Sequence, residues 1–100
     1  MTNYKQTLNL LGIARRAGKI VTGEALVLSG IRSHRVQFLF LASDAGTATA
    51  KRFLDKSRFY TVPVNHQLTK AELSAAIGQP RTIIGITDQG FARKLNEINK

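Results

Sequence analysis

VQFLFLA, at residues 36–42, is a nearly continuous run of apolar residues, and TIIGIT at residues 82–87 is similar. Apolar runs this short are typical of β-strands buried on both faces of a sheet. Around them the apolar residues recur at helical spacing, so helix and strand alternate along the chain. This alternation predicts an α/β fold, a three-layer α-β-α sandwich with a central four-stranded mixed sheet.

Local signals outside these two runs predict five helices and two further strands. Thr69 and Glu72 have the spacing of a capping box, Asp88 is a favourable N-cap, and Gly18 and Gly78 are typical helix stops. Pro63 predicts an edge position for its strand because proline cannot donate to a ladder. Two of the predicted helices span residues 3–17 and 47–59, and a third is capped by Thr22 or Gly23 and runs to about residue 32. The other two are the helix between the capping box and Gly78 and the helix that follows Asp88. The short strands are predicted at 19–21 and 60–64.

Size and charge restrict the class of protein. One hundred residues predict a single domain over residues 1–100. Fifteen Lys and Arg against six Asp and Glu give a formal charge of +9, which favours a polyanionic partner, above all nucleic acid. The chain has no cysteine, which excludes disulfides, thiolate zinc sites and cysteine nucleophiles.

Catalytic and membrane signals are absent from the sequence. His34 and His66 lie in separate loops, the carboxylates are scattered, and no phosphate-binding glycine loop occurs. We therefore expect a non-enzyme without cofactor, metal or small-molecule substrate. No apolar run approaches 18 residues, and Arg15-Arg16 follows the first apolar segment in the wrong order for a signal peptide. These features predict a cytoplasmic protein that does not insert into membranes.

The first candidate binding segment is RRAGKIVTGE at residues 15–24. Here basic residues precede a helix whose start presents free N–H groups and the positive end of the helix dipole. Gly23 has no side chain and would let an RNA backbone approach closely. The alternative is an ordinary helix start with solvated arginines. The residues of this candidate are Arg15, Arg16, Lys19, Thr22, Gly23, Glu24, Ala25 and, at the end of the same helix, Arg32.

The second candidate segment is the loop IGQPR at residues 77–81, made of Ile77, Gly78, Gln79, Pro80 and Arg81. Pro80 stiffens the loop, and Arg81 can stack on a base or bind a phosphate. Lys70, at the start of the preceding helix, could flank it. The alternative is a simple turn. The remaining basic residues at 51, 52, 56 and 58 are interpreted as a solvated helix face.

The way RNA would be recognised follows from what the chain lacks. The seven aromatic residues fall mostly at predicted core positions, so a stacking sheet is not expected. No GXXG loop is present either. We therefore expect contacts to the backbone of a structured RNA with few base contacts.

Five segments together resemble the YlxQ-like ribosomal proteins, members of the kink-turn-binding superfamily that includes ribosomal protein L-seven-Ae. The resemblance covers almost the whole chain in the right order. It is carried by ARRAGKIVTGE at 14–24, LASDA at 41–45, LTKAEL at 68–73, AIGQPR at 76–81 and ITDQGFA at 86–92.

The resemblance implies an α-β-α sandwich that binds RNA kink-turns. In the family the glycine-led helix start, here at Gly23, enters the major groove at sheared G·A pairs, and the loop at residues 77–81 clasps the kink. Lys70 and Arg81 match the residues that border the pocket of an extruded nucleotide.

This sequence departs from the family at the positions that read the G·A pairs. The Asn-Glu pair and the lysine of the best-studied members are replaced by Ala25, Leu26 and Ser29, and the acid after the Asp-Ala loop is Gly46. These departures predict that the protein binds RNA chiefly through contacts to phosphates.

Three functions remain open at this point. The leading hypothesis is a non-catalytic, monomeric protein that binds structured, kink-turn-like RNA, in ribosomal RNA or on the ribosome. The second is a substrate-recognition domain that works with an RNA-modifying enzyme, and the third is a basic protein–protein interaction module.

Overall fold

The computed structural model describes residues 2–99 and contains an alternating series of helices and strands. The helices are α1 (Thr2–Arg16), α2 (Glu24–Arg32), α3 (Thr47–Phe59), α4 (Lys70–Ile77) and α5 (Gln89–Ile98). The strands are β1 (Ile20–Thr22), β2 (Phe38–Leu41), β3 (Val64–Asn65) and β4 (Ile83–Ile86). Within residues 2–99 no helix has the length and apolar character needed to cross a membrane.

The four strands form one mixed sheet in the order β1-β4-β2-β3. Strand β4 is antiparallel to both of its neighbours, whereas β2 and β3 are parallel. Every residue of β2 and β4 is buried, as the two apolar runs predict for central strands. The strands are shorter than those runs, because residues 36, 37 and 42 of the first run and residues 82 and 87 of the second lie outside the strands.

The alternating side chains of β2 divide the core into two layers. Phe38 and Phe40 pack with α1, α4 and α5 on one face of the sheet, and Leu39 and Leu41 pack with α2 and α3 on the other. The predicted three-layer sandwich is therefore confirmed.

Two glycines allow Val36 to lie close to both α2 and β4. A Cβ atom at Gly30 would lie 2.6 Å from Val36 Cγ2, and one at Gly85 would lie 2.8 Å from the same atom. Real Cβ atoms do not approach this closely, so both glycines are needed for α2 to sit against the sheet.

The strand predicted at residues 60–64 is wrong in position. Tyr60 is instead the C-cap residue of α3, and Thr61 has φ 59°, so the chain turns before β3 begins at Val64. The predicted edge position is confirmed, because β3 pairs only with β2 among the described strands. Pro63 precedes the strand, and its carbonyl accepts a hydrogen bond from Leu39 N at 2.9 Å.

Several apolar side chains lie outside the core against expectation. In α1, Tyr4 and Ile13 are 46% and 43% exposed, although both are large apolar residues of a helix that packs on the sheet. Of the aromatic residues, Phe38, Phe40 and Phe53 are buried, but Phe59 is 78% exposed. Phe59 lies on the outward side of the last turn of α3, in which Ser57 is buried, so the aromatic residues are less confined to the interior than their pattern predicts.

Candidate functional site

The start of α2 is fixed to the sheet by Gly23, the N-cap residue. Gly23 N donates to Ile83 O at 3.2 Å, and its φ of 89° turns the chain from β1 directly into the helix. The first intrahelical hydrogen bond runs from Val27 N to Gly23 O at 3.1 Å, so the N–H groups of residues 24–26 precede it. A Cβ on Gly23 would meet no atom within 4 Å. The space beside the Gly23 Cα, at the helix start, is therefore open.

Hydrogen bonds to Ser74 of α4 hold the backbone of the loop at residues 77–81 in place. Gly78 adopts a left-handed conformation with φ 75°, and the N–H groups of Gly78 and Gln79 both donate to Ser74 O, at 2.8 and 3.2 Å. The Ser74 hydroxyl then accepts from Arg81 N at 3.0 Å. These contacts fix the backbone from which the Arg81 side chain extends.

Arg81 connects the two candidate segments. Its Nε donates to Thr22 Oγ1 at 3.0 Å, across 59 residues of sequence, and its Nη1 donates to Pro80 O at 2.7 Å. No hydrogen bond joins its Nη2 to another residue of the range 2–99. The end of β1 and the loop at residues 77–81 therefore form one continuous surface, with guanidinium donors still available on it.

A cavity of about 230 Å³ lies at this junction, and both candidate segments line it. Arg15 is the cation in its wall. The complete lining is Arg15, Gly18, Ile20, Thr22, Ile77 and Gln79.

Lys70 is placed by the loop that follows β2. Its backbone N–H donates to Asp44 Oδ1 at 2.9 Å, and Ser43 N donates to Leu68 O at 2.8 Å. The predicted capping box is confirmed, since Glu72 N donates to Thr69 Oγ1 at 3.2 Å and Thr69 N to Glu72 Oε1 at 2.8 Å. Lys70 thus starts α4 beside the loop that ends β2.

Glu72 also fixes α4 to α1. The Tyr4 hydroxyl donates to the Glu72 carboxylate, and this bond, together with the Thr69 N–H, lowers the pKa of Glu72 below its ordinary value. The same contact raises the pKa of Tyr4. Because α1 ends in Arg15 and Arg16 while α4 leads into the loop at residues 77–81, this contact helps to keep the two segments in register.

Three other predicted cations do not line this cavity. Arg16 lines a groove of about 570 Å³ between α1 and α4. Lys19 precedes β1, and its carbonyl accepts from Thr87 N at 2.9 Å, at the end of β1 opposite Gly23. Arg32 lies at the C-terminus of α2.

Sequence reasoning missed the position of Arg52. Its Nη1 lies 3.5 Å from Glu24 Oε1, at the start of α2. Glu24 and Arg52 are separated by 28 positions, and only the packing of α3 beside α2 brings them together, so no local spacing in the sequence indicates this contact. Arg52 therefore belongs to the surroundings of α2 and is not simply part of a solvated face of α3.

Comparison with known proteins places this geometry in context. No protein-family model matches the chain. The chain is 43% identical over 96 residues to the RNA-binding protein YlxQ of Enterococcus faecium, which covers 96% of this chain and 93% of that protein. It is 45% identical over 87 residues to the RNA-binding protein YlxQ of Bacillus subtilis (strain 168), covering 86% of this chain and 87% of that protein.

Solved structures share the same fold. A protein of unknown function from Bacillus halodurans superposes with a TM-score of 0.89 at 41% identity, covering 94% of this chain and 97% of that one. The 15.5-kD RNA-binding protein of Giardia lamblia superposes with a TM-score of 0.84 over 98% of this chain and 85% of that one. At 18% identity the second likeness concerns the fold alone.

Proposed function

The chain belongs to the family of the RNA-binding protein YlxQ, and from that premise we propose that it binds structured, kink-turn-like RNA without catalysing a reaction. The observation that carries the proposal is the hydrogen bond from Arg81 Nε to Thr22 Oγ1 at 3.0 Å. It joins the start of α2 to the loop at residues 77–81, the two places where the sequence predicts contact with RNA. A bent RNA can therefore touch both at once.

In this proposal the start of α2 binds the RNA backbone. The N–H groups of Glu24, Ala25 and Leu26 and the dipole of α2 favour a phosphate at this point. The missing side chain of Gly23 allows the backbone to come close. Glu24 and Ala25 take part through their main chains, because the Glu24 carboxylate faces Arg52 and alanine has no polar side chain.

The loop at residues 77–81 holds the other side of the kink. Ile77 and Gln79 line the cavity, Gly78 turns the backbone between them, and Arg81 supplies guanidinium donors for a base or phosphate. Lys70 approaches from the start of α4. Arg15 lines the cavity, and the more distant cations Arg16, Lys19 and Arg32 attract the surrounding phosphates.

A binding comparison between two RNAs tests the proposal. We expect the protein to bind an RNA with a kink-turn more tightly than a fully paired duplex of the same length, because only the bent RNA reaches both segments. Equal affinity for the two RNAs would contradict kink-turn recognition and leave only general RNA binding.

A pair of charge-reversal variants tests the site. Arg81→Glu is expected to weaken kink-turn binding by more than Arg58→Glu, although both change the net charge by the same amount. Arg58 lies on α3, where its Nη1 is 3.8 Å from Asp55 Oδ1, and it does not line the cavity between the two candidate segments. Equal losses would mean that overall charge, and not this surface, governs binding.

We further propose that the RNA is ribosomal RNA and that the protein acts as a monomer in the cytoplasm, on the ribosome. Ultraviolet crosslinking in cells, followed by sequencing of the attached RNA, identifies the target directly. Recovery of mainly ribosomal RNA is the expected result. Association with partners that survives ribonuclease treatment would instead indicate a protein–protein module.

A further inference from the structure

A second concave surface lies between α2 and α3, outside the two segments described above. It is a groove of about 520 Å³ that runs along α2 from its start to its end. Two arginines from different helices line it, Arg32 at the end of α2 and Arg52 in α3. The remaining lining residues are Ala25, Leu28, Ser29 and Ser33.

Arg52 differs from Lys51 and Arg58, which also lie on α3, in what it faces. Lys51 Nζ lies 3.0 Å from Asp55 Oδ2 and Arg58 Nη1 lies 3.8 Å from Asp55 Oδ1, so both share one carboxylate on a common side of the helix. Arg52 directly follows Lys51 and therefore lies about 100° from it around the helix axis. It faces α2, where the Glu24 carboxylate lies 3.5 Å from its Nη1.

We infer that the groove between α2 and α3 is an additional binding surface for RNA phosphates, in which Arg52 and Arg32 are the contacting residues. The inference rests on the proposed function and extends its RNA contacts from the start of α2 along the whole helix. The RNA strand that meets Gly23 would continue over Ala25 and Ser29 toward Arg32.

The shape of the groove suits a sugar–phosphate backbone. Ala25 and Ser29 are exposed and have short side chains, while Leu28 is 7% exposed and closes the base of the groove. A strand can therefore lie close to α2 between two guanidinium groups, which match phosphate geometry well. This arrangement supplies contacts at the helix face where Ala25, Leu26 and Ser29 cannot read base edges.

Continuity with the start of α2 favours RNA over an acidic protein segment as the occupant, since the positive charge of the groove would attract either one. Among residues 2–99, those that line the groove include no carboxylate, and the Glu24 carboxylate lies 3.5 Å from Arg52 Nη1. The groove is continuous with the start of α2, where the proposed RNA already binds. A flexible acidic segment would have to occupy the same surface and displace that RNA.

The decisive variants are Arg52→Gln and its matched control Arg58→Gln. Both remove one positive charge from α3, and both side chains are exposed, by 55% and 82%. If Arg52 binds one phosphate, RNA binding by Arg52→Gln releases about one counterion fewer than binding by the wild-type protein. The affinity for RNA is then lower by about eightfold at 0.1 M salt and by less than twofold near 1 M. Arg32→Gln is expected to behave as Arg52→Gln does.

The binding measurements use a kink-turn RNA and a fully paired duplex of equal length. A selective loss for Arg52→Gln on either RNA supports the groove, whether or not the kink-turn is preferred. Equal affinities of Arg52→Gln and Arg58→Gln overturn it, even if the wild-type protein prefers the kink-turn. If neither RNA binds at low salt, the proposed function and the groove both fail.

A direct measurement of proximity uses the absence of cysteine from the chain. Ser29→Cys places a single thiol in the groove, and an iron chelate attached there cleaves nearby RNA by hydroxyl radicals. Asn96→Cys on α5, across the sheet, is the control. Cleavage confined to the Ser29→Cys protein supports the inference. Equal cleavage from both positions, or cleavage from neither while the RNA remains bound, contradicts it.

Discussion

Gly23 and Gly46 show how one backbone angle changes the role of a residue. Both are N-cap residues, and a Cβ on either would meet no atom within 4 Å, but φ is 89° at Gly23 and −57° at Gly46. An L-residue at Gly23 is strained, and we expect Gly23→Ala to lower the free energy of unfolding by about 1–3 kcal/mol more than Gly46→Ala does. Urea unfolding of both variants measures the difference. Equal losses would show that the cap, and not φ, is responsible.

The bond between Tyr4 and Glu72 makes a prediction about acid titration. The Tyr4 hydroxyl is the main cause of the lowered pKa of Glu72, followed by the Thr69 N–H. Because the folded pKa lies below the unfolded one, the stability from this bond is present above the unfolded pKa and is lost as the pH falls through the folded pKa. We expect Tyr4→Phe to raise the pKa of Glu72, as followed by NMR of its carboxyl carbon. An unchanged pKa would remove Tyr4 as the cause.

Helix α4 is short and has a capping interaction at each end. It has eight residues, too few for an isolated helix to be stable, and it begins with a capping box and ends at a left-handed Gly78. Thr69→Ala is expected to lower the free energy of unfolding by about 0.5–2 kcal/mol. Thr47→Ala, at an exposed first residue of α3 whose cap is Gly46, is the control and should change it little. A similar decrease in the free energy of unfolding for both variants would mean that the capping box at Thr69 does not stabilise the protein.

The elements that could be predicted from sequence are those with signals inside a few residues. The bounds of α3 agree with the prediction at both ends. The hydrogen bonds to Thr69 and Asp88 confirm the two predicted caps, which could be predicted because each bond spans only three residues. Strand β3 was misplaced because it has two residues and depends on pairing with β2. The side chain of Arg52 could not be placed because its partner lies on another helix.

The whole molecule uses its few carboxylates internally. Of six Asp and Glu residues, five contact protein groups: a helix start, a tyrosine, an arginine, a lysine–arginine pair and a helix cap. These are Asp44, Glu72, Glu24, Asp55 and Asp88 in that order. Few carboxylates therefore remain to pair with the fifteen Lys and Arg residues, most of which are exposed to solvent. The positive field of the protein is then available to a polyanion along the surface from Arg15 to Arg81 and across α2.

This charge distribution predicts the response of RNA binding to salt. If about six phosphates are neutralised, the logarithm of the association constant should fall with the logarithm of the salt concentration with a slope near −5, taking about 0.9 per phosphate. Titrations between about 0.05 and 0.5 M salt measure the slope, and Arg52→Gln should reduce its magnitude by about 1 while Arg58→Gln leaves it nearly unchanged. A slope near zero would contradict binding through phosphates altogether. A steep slope that both variants reduce equally would assign the binding to net charge and not to the surface around α2.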